Sequence, residues 1–315
     1  AASDVYKRQS EERMRAARVH LDHIAKPLKA LGRLEDVLVR LAGMAELRRD
    51  YRKCAVVMCA DNGIVAEGVT QTGSDVTAVV AGNILRGKAS VCCMAGVAGA
   101  EVLAVDIGML ADVPGVRSCK VAYGTKNFRR GPAMTKEEAQ TAVMHGVNIA
   151  RELAQKGFSM LSAGEMGIGN TTSSSAVASA LLRRAPAEMT GRGAGLSSLQ
   201  LQNKIRVIED ALACNAPDPN DPLDVLSKVG GFDIAGMCGL FLGGALSGIP
   251  VVIDGLISSV SALLAKRLCP ACADYMIASH LSAEPAAASV TAELGLVPLL
   301  DIGMALGEGT GAVSV

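Results

Sequence analysis

Tryptophan is absent from the chain, and aromatic residues make up only 3% of it, four Phe and four Tyr among 315 residues. That scarcity argues against a platform for stacking single-stranded bases. With hydrophobic residues at 50% of the chain, the core has to be built from Ala, Val, Ile, Leu and Met, and 34 Gly add tight turns and close backbone approaches. Net charge is also missing, because 31 Lys plus Arg balance 31 Asp plus Glu. No global field therefore points to nucleic acid or to an anionic membrane. There is no repeat and no low-complexity linker. His145 and His280 have no carboxylate or Cys partner at ligand spacing, so no metal motif emerges.

Nine Cys is an odd number without framework spacing, and Cys92 and Cys93 are adjacent. Free thiols in a reducing cytoplasm are expected. Cys269-Pro-Ala-Cys272 has the spacing of a redox motif or half a zinc site, but a second pair is lacking. Residues 1–9 carry neither a basic n-region nor an apolar h-region, so they do not read as a secretory signal. Without an initiator Met, they are expected to be non-native. An unbroken hydrophobic span is lacking as well. Residues 234–253 carry no charge, yet Gly236, Gly239, Gly243, Gly244, Gly248 and Pro250 interrupt them. A helix, a turn and a short buried strand account for this run better than a membrane span does.

Residues 10–50 are charged, with Leu21, Ile24, Leu28, Leu31, Leu34, Val37, Leu38 and Leu41 recurring at helical spacing, which marks an amphipathic helical annex. From residue 51 onward short apolar runs at 54–60, 100–105, 158–162, 249–253 and 275–278 alternate with helix-like stretches at 75–85, 136–156, 172–183 and 258–267. This alternation implies an α/β fold: a doubly wound parallel sheet with helices on both faces, occupying residues 51–315 beside the small helical subdomain. Ligands of such sheets bind at the carboxyl ends of the strands. Polar groups collect there, in Ala60-Asp-Asn-Gly63, Asp106-Ile-Gly108, Gly164-Glu165, Asp254-Gly255 and Ser279-His-Leu-Ser282.

Ser162-Ala-Gly-Glu-Met-Gly-Ile-Gly-Asn-Thr-Thr172 reads as a strand, a Gly-rich loop holding Glu165, and a helix start with Asn170 or Thr171 as N-cap. Two readings stand: an anion site made by backbone N–H groups, or a structural turn with an ordinary cap. The glycine spacing is not that of a dinucleotide fold, and no Lys follows as in a P-loop. A carboxylate beside a phosphate would be repelled, so Glu165 should face a hydroxyl or a ring nitrogen. Lys204 is either a solvated helix residue or a cation of the site. Glu308, flanked by Gly307 and Gly309, is either exposed at a helix end or held in a partly desolvated pocket, where its pKa would rise toward that of a general base.

Taken together and in order, these segments resemble the nicotinate-nucleotide:dimethylbenzimidazole phosphoribosyltransferases. The resemblance runs from about Leu21 to the end and rests on Gly164-Glu-Met-Gly-Ile-Gly-Asn-Thr-Thr172 and Leu306-Gly-Glu-Gly-Thr-Gly-Ala312. Ala60-Asp-Asn-Gly63, Val229-Gly-Gly-Phe-Asp-Ile-Ala235, Pro250-Val-Val-Ile-Asp-Gly255 and Ser279-His-Leu-Ser-Ala-Glu-Pro285 support it. It implies transfer of phosphoribose from nicotinate mononucleotide to an aromatic base, without cofactor or metal, by a cytoplasmic homodimer. Glu308 would be the general base and Glu165 would hold the ring or a ribose hydroxyl. Gly167, Gly169, Asn170, Thr171, Lys204, Asp254 and Ser282 would contact phosphate and ribose, and Ser74 would lie in the acceptor loop. That loop reads Thr72-Gly-Ser-Asp75 where the family has Tyr-Pro-Gln-Glu, so purines and phenols stand beside benzimidazole as acceptors. A non-catalytic nucleotide-binding subunit is the alternative of another class. The family continues beyond its Gly-Thr-Gly-Ala, so a C-terminal truncation is expected.

Overall fold

The computed structural model describes residues 9–48 and 50–315; the expectation for residues 1–9 falls almost wholly outside them. The chain runs through α1 (Glu11–His23), α2 (Arg33–Met44), β1 (Lys53–Ala60), α3 (Asp75–Leu85), α4 (Ser90–Ala98), β2 (Ala100–Gly108), β3 (Arg117–Ser118), α5 (Lys136–Gln155) and β4 (Met160–Met166). Then come α6 (Asn170–Leu182), α7 (Pro186–Met189), α8 (Ser198–Asn215), α9 (Pro222–Val229), α10 (Phe232–Ser247), β5 (Val251–Ile253), α11 (Leu256–Leu268), β6 (Met276–Ala278) and α12 (Ala286–Leu294).

The strands form one parallel sheet in the order β3-β2-β1-β4-β5-β6. Progression along the sheet reverses between β1 and β4, which opens a crevice at their carboxyl ends. Alternation along β1 shows how both faces are covered. Val56 and Met58 point into the larger apolar cluster with α5 and α10, whereas Val57 and Cys59 face Ala81 and Ile84 of α3 and Val91 of α4. Such two-sided burial explains why the strands read as continuous apolar runs.

The charge-free run divides as its glycines imply, into α10, a turn and β5, and no helix among the described residues is long and apolar enough to cross a membrane. Small residues let α10 lie directly on α5. A Cβ on Gly146 would collide with the Gly236 carbonyl, and one on Gly239 with the Val143 carbonyl. The two leading helices pack on each other and are tied to the sheet's far edge. There Gln9 donates to the Asp274 carbonyl (2.6 Å) and Arg40 to the Met276 carbonyl (3.0 Å). Glu35, fully buried in α2, pairs with Lys26 at 2.8 Å.

Two local expectations need correction. The third strand starts at Met160 rather than residue 158 and continues through Met166, so Glu165 is a strand residue and not a loop residue. Neither Asn170 nor Thr171 caps α6. Gly169 does, in left-handed conformation (φ 92°), and the Asn170 side chain is used elsewhere. The edge strand β3 spans only two residues, too few to give a periodic signal.

The helix contact is testable by paired substitutions. Gly239→Ala should destabilise the protein by about 1–3 kcal/mol through overpacking. Gly96→Ala, on the exposed side of α4 with nothing within 4 Å of the new methyl, should stabilise it by about 0.5–1 kcal/mol. Thermal melts of the two variants should therefore move in opposite directions.

Candidate active site

A two-lobed cavity occupies the crevice between β1 and β4. The larger lobe, about 290 Å³, is lined by Glu165, Gly167, Asn170, Asp254, Ser282 and Glu308, with Val80, Met166 and Leu306 as apolar walls. Its neighbour, about 100 Å³, is bounded by Gly169, Thr171, Arg192 and Lys204. Gly167, Asn170 and Thr171 belong to both lobes. A bigger cavity of about 600 Å³ lies at the amino ends of the strands, around Met94, Val97, Leu161 and Val313. Its walls are largely apolar, and of its few polar residues Lys53 already donates to the Ala98 carbonyl, so the crevice, where carboxylates and a buried lysine converge, is the better candidate.

Two distant segments build the larger lobe. Gly164 of β4 lies so close to the terminal loop that a Cβ there would stand 2.5 Å from the Glu308 carbonyl oxygen. Glu165, the next residue, accepts a hydrogen bond from the Glu308 backbone N–H and another from the Asn170 side-chain amide. Burial, reinforced by the neighbouring Asp233 carboxylate, pushes the Glu165 carboxyl up to about 8. Asp254 occupies both its oxygens with the same loop: Oδ2 accepts the Gly309 N–H and Oδ1 that of Ala312, each at 3.0 Å. Burial pushes Asp254 up to about 6. The resemblance implies Asp254 as a substrate contact; here it lines the larger lobe and also holds the loop. That grip matters because Glu308 itself is left-handed (φ 66°), an uncommon state for a residue with a side chain. The half-buried Glu308 carboxylate accepts from the Val91 backbone N–H (3.4 Å) in the first turn of α4.

Lys204 is fully buried and not a solvated helix residue. Its ammonium donates to the Thr171 hydroxyl (2.9 Å) and the Gly191 carbonyl (3.2 Å), which leaves a third N–H at the smaller lobe. Burial lowers its pKa to about 8, opposed by Glu284. Glu284 also accepts the Gly193 N–H at 3.0 Å, which pins the loop between α7 and α8 over both lobes.

Every expected site residue except Ser74 borders one of the two lobes. Ser74 sits half-buried ahead of α3 and lines neither, although Val69, Thr70, Gln71 and Thr72 just before it border the smaller lobe. From α3 the site instead draws on Thr77, whose hydroxyl accepts the Ile168 N–H (3.2 Å). Sequence reasoning missed Asp233. Fully buried, it receives a hydrogen bond from Asn170 at 2.8 Å. It stands in the first turn of α10, where an acid reads as an ordinary partner of the helix dipole. The nearby His280 is buried, and burial lowers its pKa, which favours the neutral imidazole. Among the described residues no cluster of His, Cys, Asp or Glu is placed to hold a metal ion, and Cys269 and Cys272 are free thiols.

A family model described as phosphoribosyltransferase matches residues 6–315. The nicotinate-nucleotide–dimethylbenzimidazole phosphoribosyltransferase of Acetivibrio thermocellus is 45% identical over 306 residues, covering 96% of this chain and 87% of that one. The protein of the same name from Chloroflexus aggregans is 47% identical over 303 residues, covering 95% and 86%. Among solved structures, CobT from Thermus thermophilus superposes with a TM-score of 0.91 at 40% identity, covering 96% of this chain and 92% of that chain.

The buried acids give the unliganded protein a pH signature. Glu165 has its native pKa above the ordinary 4.5, so between about 4.5 and about 8 the unfolded chain has released a proton that the folded one still holds. Stability contributed by this group is complete below that window and falls as pH rises through it. Glu165→Gln should remove the loss. Denaturant titrations should show little gain at pH 4.5 and a stabilisation on the order of 2 kcal/mol or more at pH 8, since each displaced unit is worth about 1.4 kcal/mol.

Proposed function

The chain belongs to the phosphoribosyltransferase family that includes the nicotinate-nucleotide–dimethylbenzimidazole enzymes, and on that premise we propose that it transfers the 5-phosphoribosyl group of nicotinate mononucleotide to 5,6-dimethylbenzimidazole or a related lower-ligand base. The products are α-ribazole 5′-phosphate and nicotinate, and the reaction serves assembly of the cobamide nucleotide loop. One observation carries the reading. Glu165 and Glu308, far apart in the chain, meet in a cavity whose second lobe borders the buried cation Lys204.

The lobes suit the two ends of the donor. The phosphate takes the smaller lobe, between the start of α6 and the remaining N–H of Lys204. The ribose lies along Gly167, Asn170 and Thr171, with Ser282 opposite. Val80, Met166 and Leu306 give the acceptor flat aliphatic walls. An acceptor ring nitrogen forms a bond to C1′ as the C1′–N bond to nicotinate breaks. The electron pair of that bond returns to the pyridinium nitrogen, so nicotinate leaves with its ring neutral and needs no acid. The azole N–H proton passes to Glu308, and inversion turns the β-nucleotide into an α-ribotide. Positioning and one general base meet these demands without a cofactor.

Several further assignments belong to the same reading. Residues 10–50 form a helical annex and residues 51–315 the catalytic domain. The active form is a cytoplasmic homodimer. Free thiols support the reducing compartment. Exposed Leu28, Leu31 and Leu34, beside the Arg33 contact to the Pro298 carbonyl (2.9 Å), support an apolar partner surface. A purine or phenolic acceptor fits the same chemistry, with the departing sequence at Thr72-Gly-Ser-Asp75 as the feature that favours it.

Purified protein given nicotinate mononucleotide and a panel of benzimidazole, purine and phenolic acceptors should release nicotinate and form an α-ribotide. Mononucleotide binding without turnover of any acceptor would instead mark a non-catalytic subunit. Glu308→Gln should lower kcat by about 10²–10⁴, the usual worth of a general base, with the KM for mononucleotide nearly unchanged. Lys204→Met should act the other way, raising that KM by roughly tenfold or more through loss of a charge-assisted phosphate contact.

A further inference from the structure

Glu165 and Asp233 share one donor. The Asn170 amide nitrogen donates to Glu165 Oε2 and, at 2.8 Å, to Asp233 Oδ2. An amide oxygen could not face two carboxylates, so this orientation is fixed by chemistry. Both acids are buried. The groups facing Glu165 come from every side: Asp233 on α10, Asp254 after β5, Cys59 on β1, and Glu308 through its backbone N–H. Asp61 and Asp106 extend the acidic rim, and Lys204 is committed to Thr171 and Gly191. Among the described residues no cation pairs with either acid. Two anions bridged by a single nitrogen in a dry pocket cost more than one anion and one acid. Asp233 is better placed to be the anion, because it stands in the first turn of α10, where the helix dipole favours negative charge.

We infer that Asp233 is a positioning residue for Glu165. Through Asn170 it fixes the Glu165 carboxyl and keeps it protonated, so that Glu165 donates a hydrogen bond to a ribose hydroxyl oxygen and places no second anion beside Glu308. The two glutamates of the cavity then have opposite tasks: Glu165 presents a proton and Glu308 takes one. This inference deepens the phosphoribosyl-transfer reading and rests on it for its kinetic part.

Glu165→Gln donates from an amide that cannot ionise. It should retain measurable turnover, and its kcat–pH profile at saturating mononucleotide should lose the alkaline limb that Glu165 contributes, while the limb from Lys204 remains in kcat/KM. Asp233→Asn should move that limb to lower pH, by about one unit, with the KM for mononucleotide within about twofold. In the Glu165→Gln background Asp233→Asn should add nothing, because its effect runs through Glu165. A readout independent of turnover uses infrared spectroscopy of the ligand-free protein at neutral pH. A carboxylic-acid C=O band should be present in the wild type and missing in Glu165→Gln, and in Asp233→Asn it should bleach at lower pH. If the wild type turns over no acceptor, the functional reading fails, and the band still tests the inference. Equal loss from Asp233→Asn in both backgrounds, or a band unchanged in Glu165→Gln, would overturn it.

Discussion

The backbone contact between β4 and the terminal loop is the constraint on which the site depends. Gly164 has no side chain, so the strand approaches the Glu308 carbonyl directly. That approach places Glu165 and Glu308 in one cavity. The loop cannot relax away, because Asp254 grips it on both sides of the turn, at Gly309 and Ala312. Left-handed backbone at Glu308 is the kind of local strain that survives only where the surroundings over-determine it. The sheet supplies those surroundings. Side-by-side parallel pairing of β4 with β5 fixes Asp254 beside Gly164 before any side chain of the loop is considered.

A chain with no net charge conceals a strongly divided crevice. Asp61, Asp106, Glu165, Asp233 and Asp254 are all buried at the carboxyl ends of the sheet or beside them. Lys120 relieves Asp106 at 3.2 Å, but among the described residues no cation pairs with Glu165. Lys204 stands apart, with the α6 start, over the smaller lobe. A substrate carrying a phosphate at one end and a nitrogen heterocycle at the other is therefore oriented before it makes any specific contact. The phosphate is excluded from the acidic lobe by repulsion, and the ring is left among aliphatic walls and carboxyls. Scarcity of aromatic residues fits this arrangement, since the apolar walls of the larger lobe include Val80, Met166 and Leu306 and, among the described residues, no Phe or Tyr lines it.

Much of the fold was legible in the sequence because parallel strands buried on both faces leave continuous apolar runs. The helix over α3 follows directly from its pattern, and β1 and β2 begin within a residue of where the runs place them. Boundaries failed where polar residues continue a strand. Gly164 and Glu165 look like a loop, yet they pair with Val57 and Met58 of β1. The site was legible through its two Gly-rich segments, whose glycines are needed for close approach. Lys204 showed itself only as a choice between exposure and use, because burial of a helix lysine depends on neighbours remote in sequence, Thr171 and Gly191. Asp233 gave no separate signal. Its role comes from the packing of α10 against the α6 start, which a helix-start acid does not announce. Ser74 shows the converse. The family resemblance implies it as an acceptor contact, but its side chain lies outside both lobes.

The central claim is that the two glutamates and Lys204 divide one substrate along one crevice. It is tested most directly by an experimental structure of the protein with nicotinate mononucleotide and an unreactive acceptor analogue. The phosphate should lie within hydrogen-bonding distance of Lys204 and Thr171. C1′ should lie beside the Gly167–Asn170 segment, and the acceptor ring between Glu165 and Glu308 on the face opposite nicotinate. A phosphate seated in the cavity around Val97 and Val313, or an acceptor out of reach of Glu308, would contradict it.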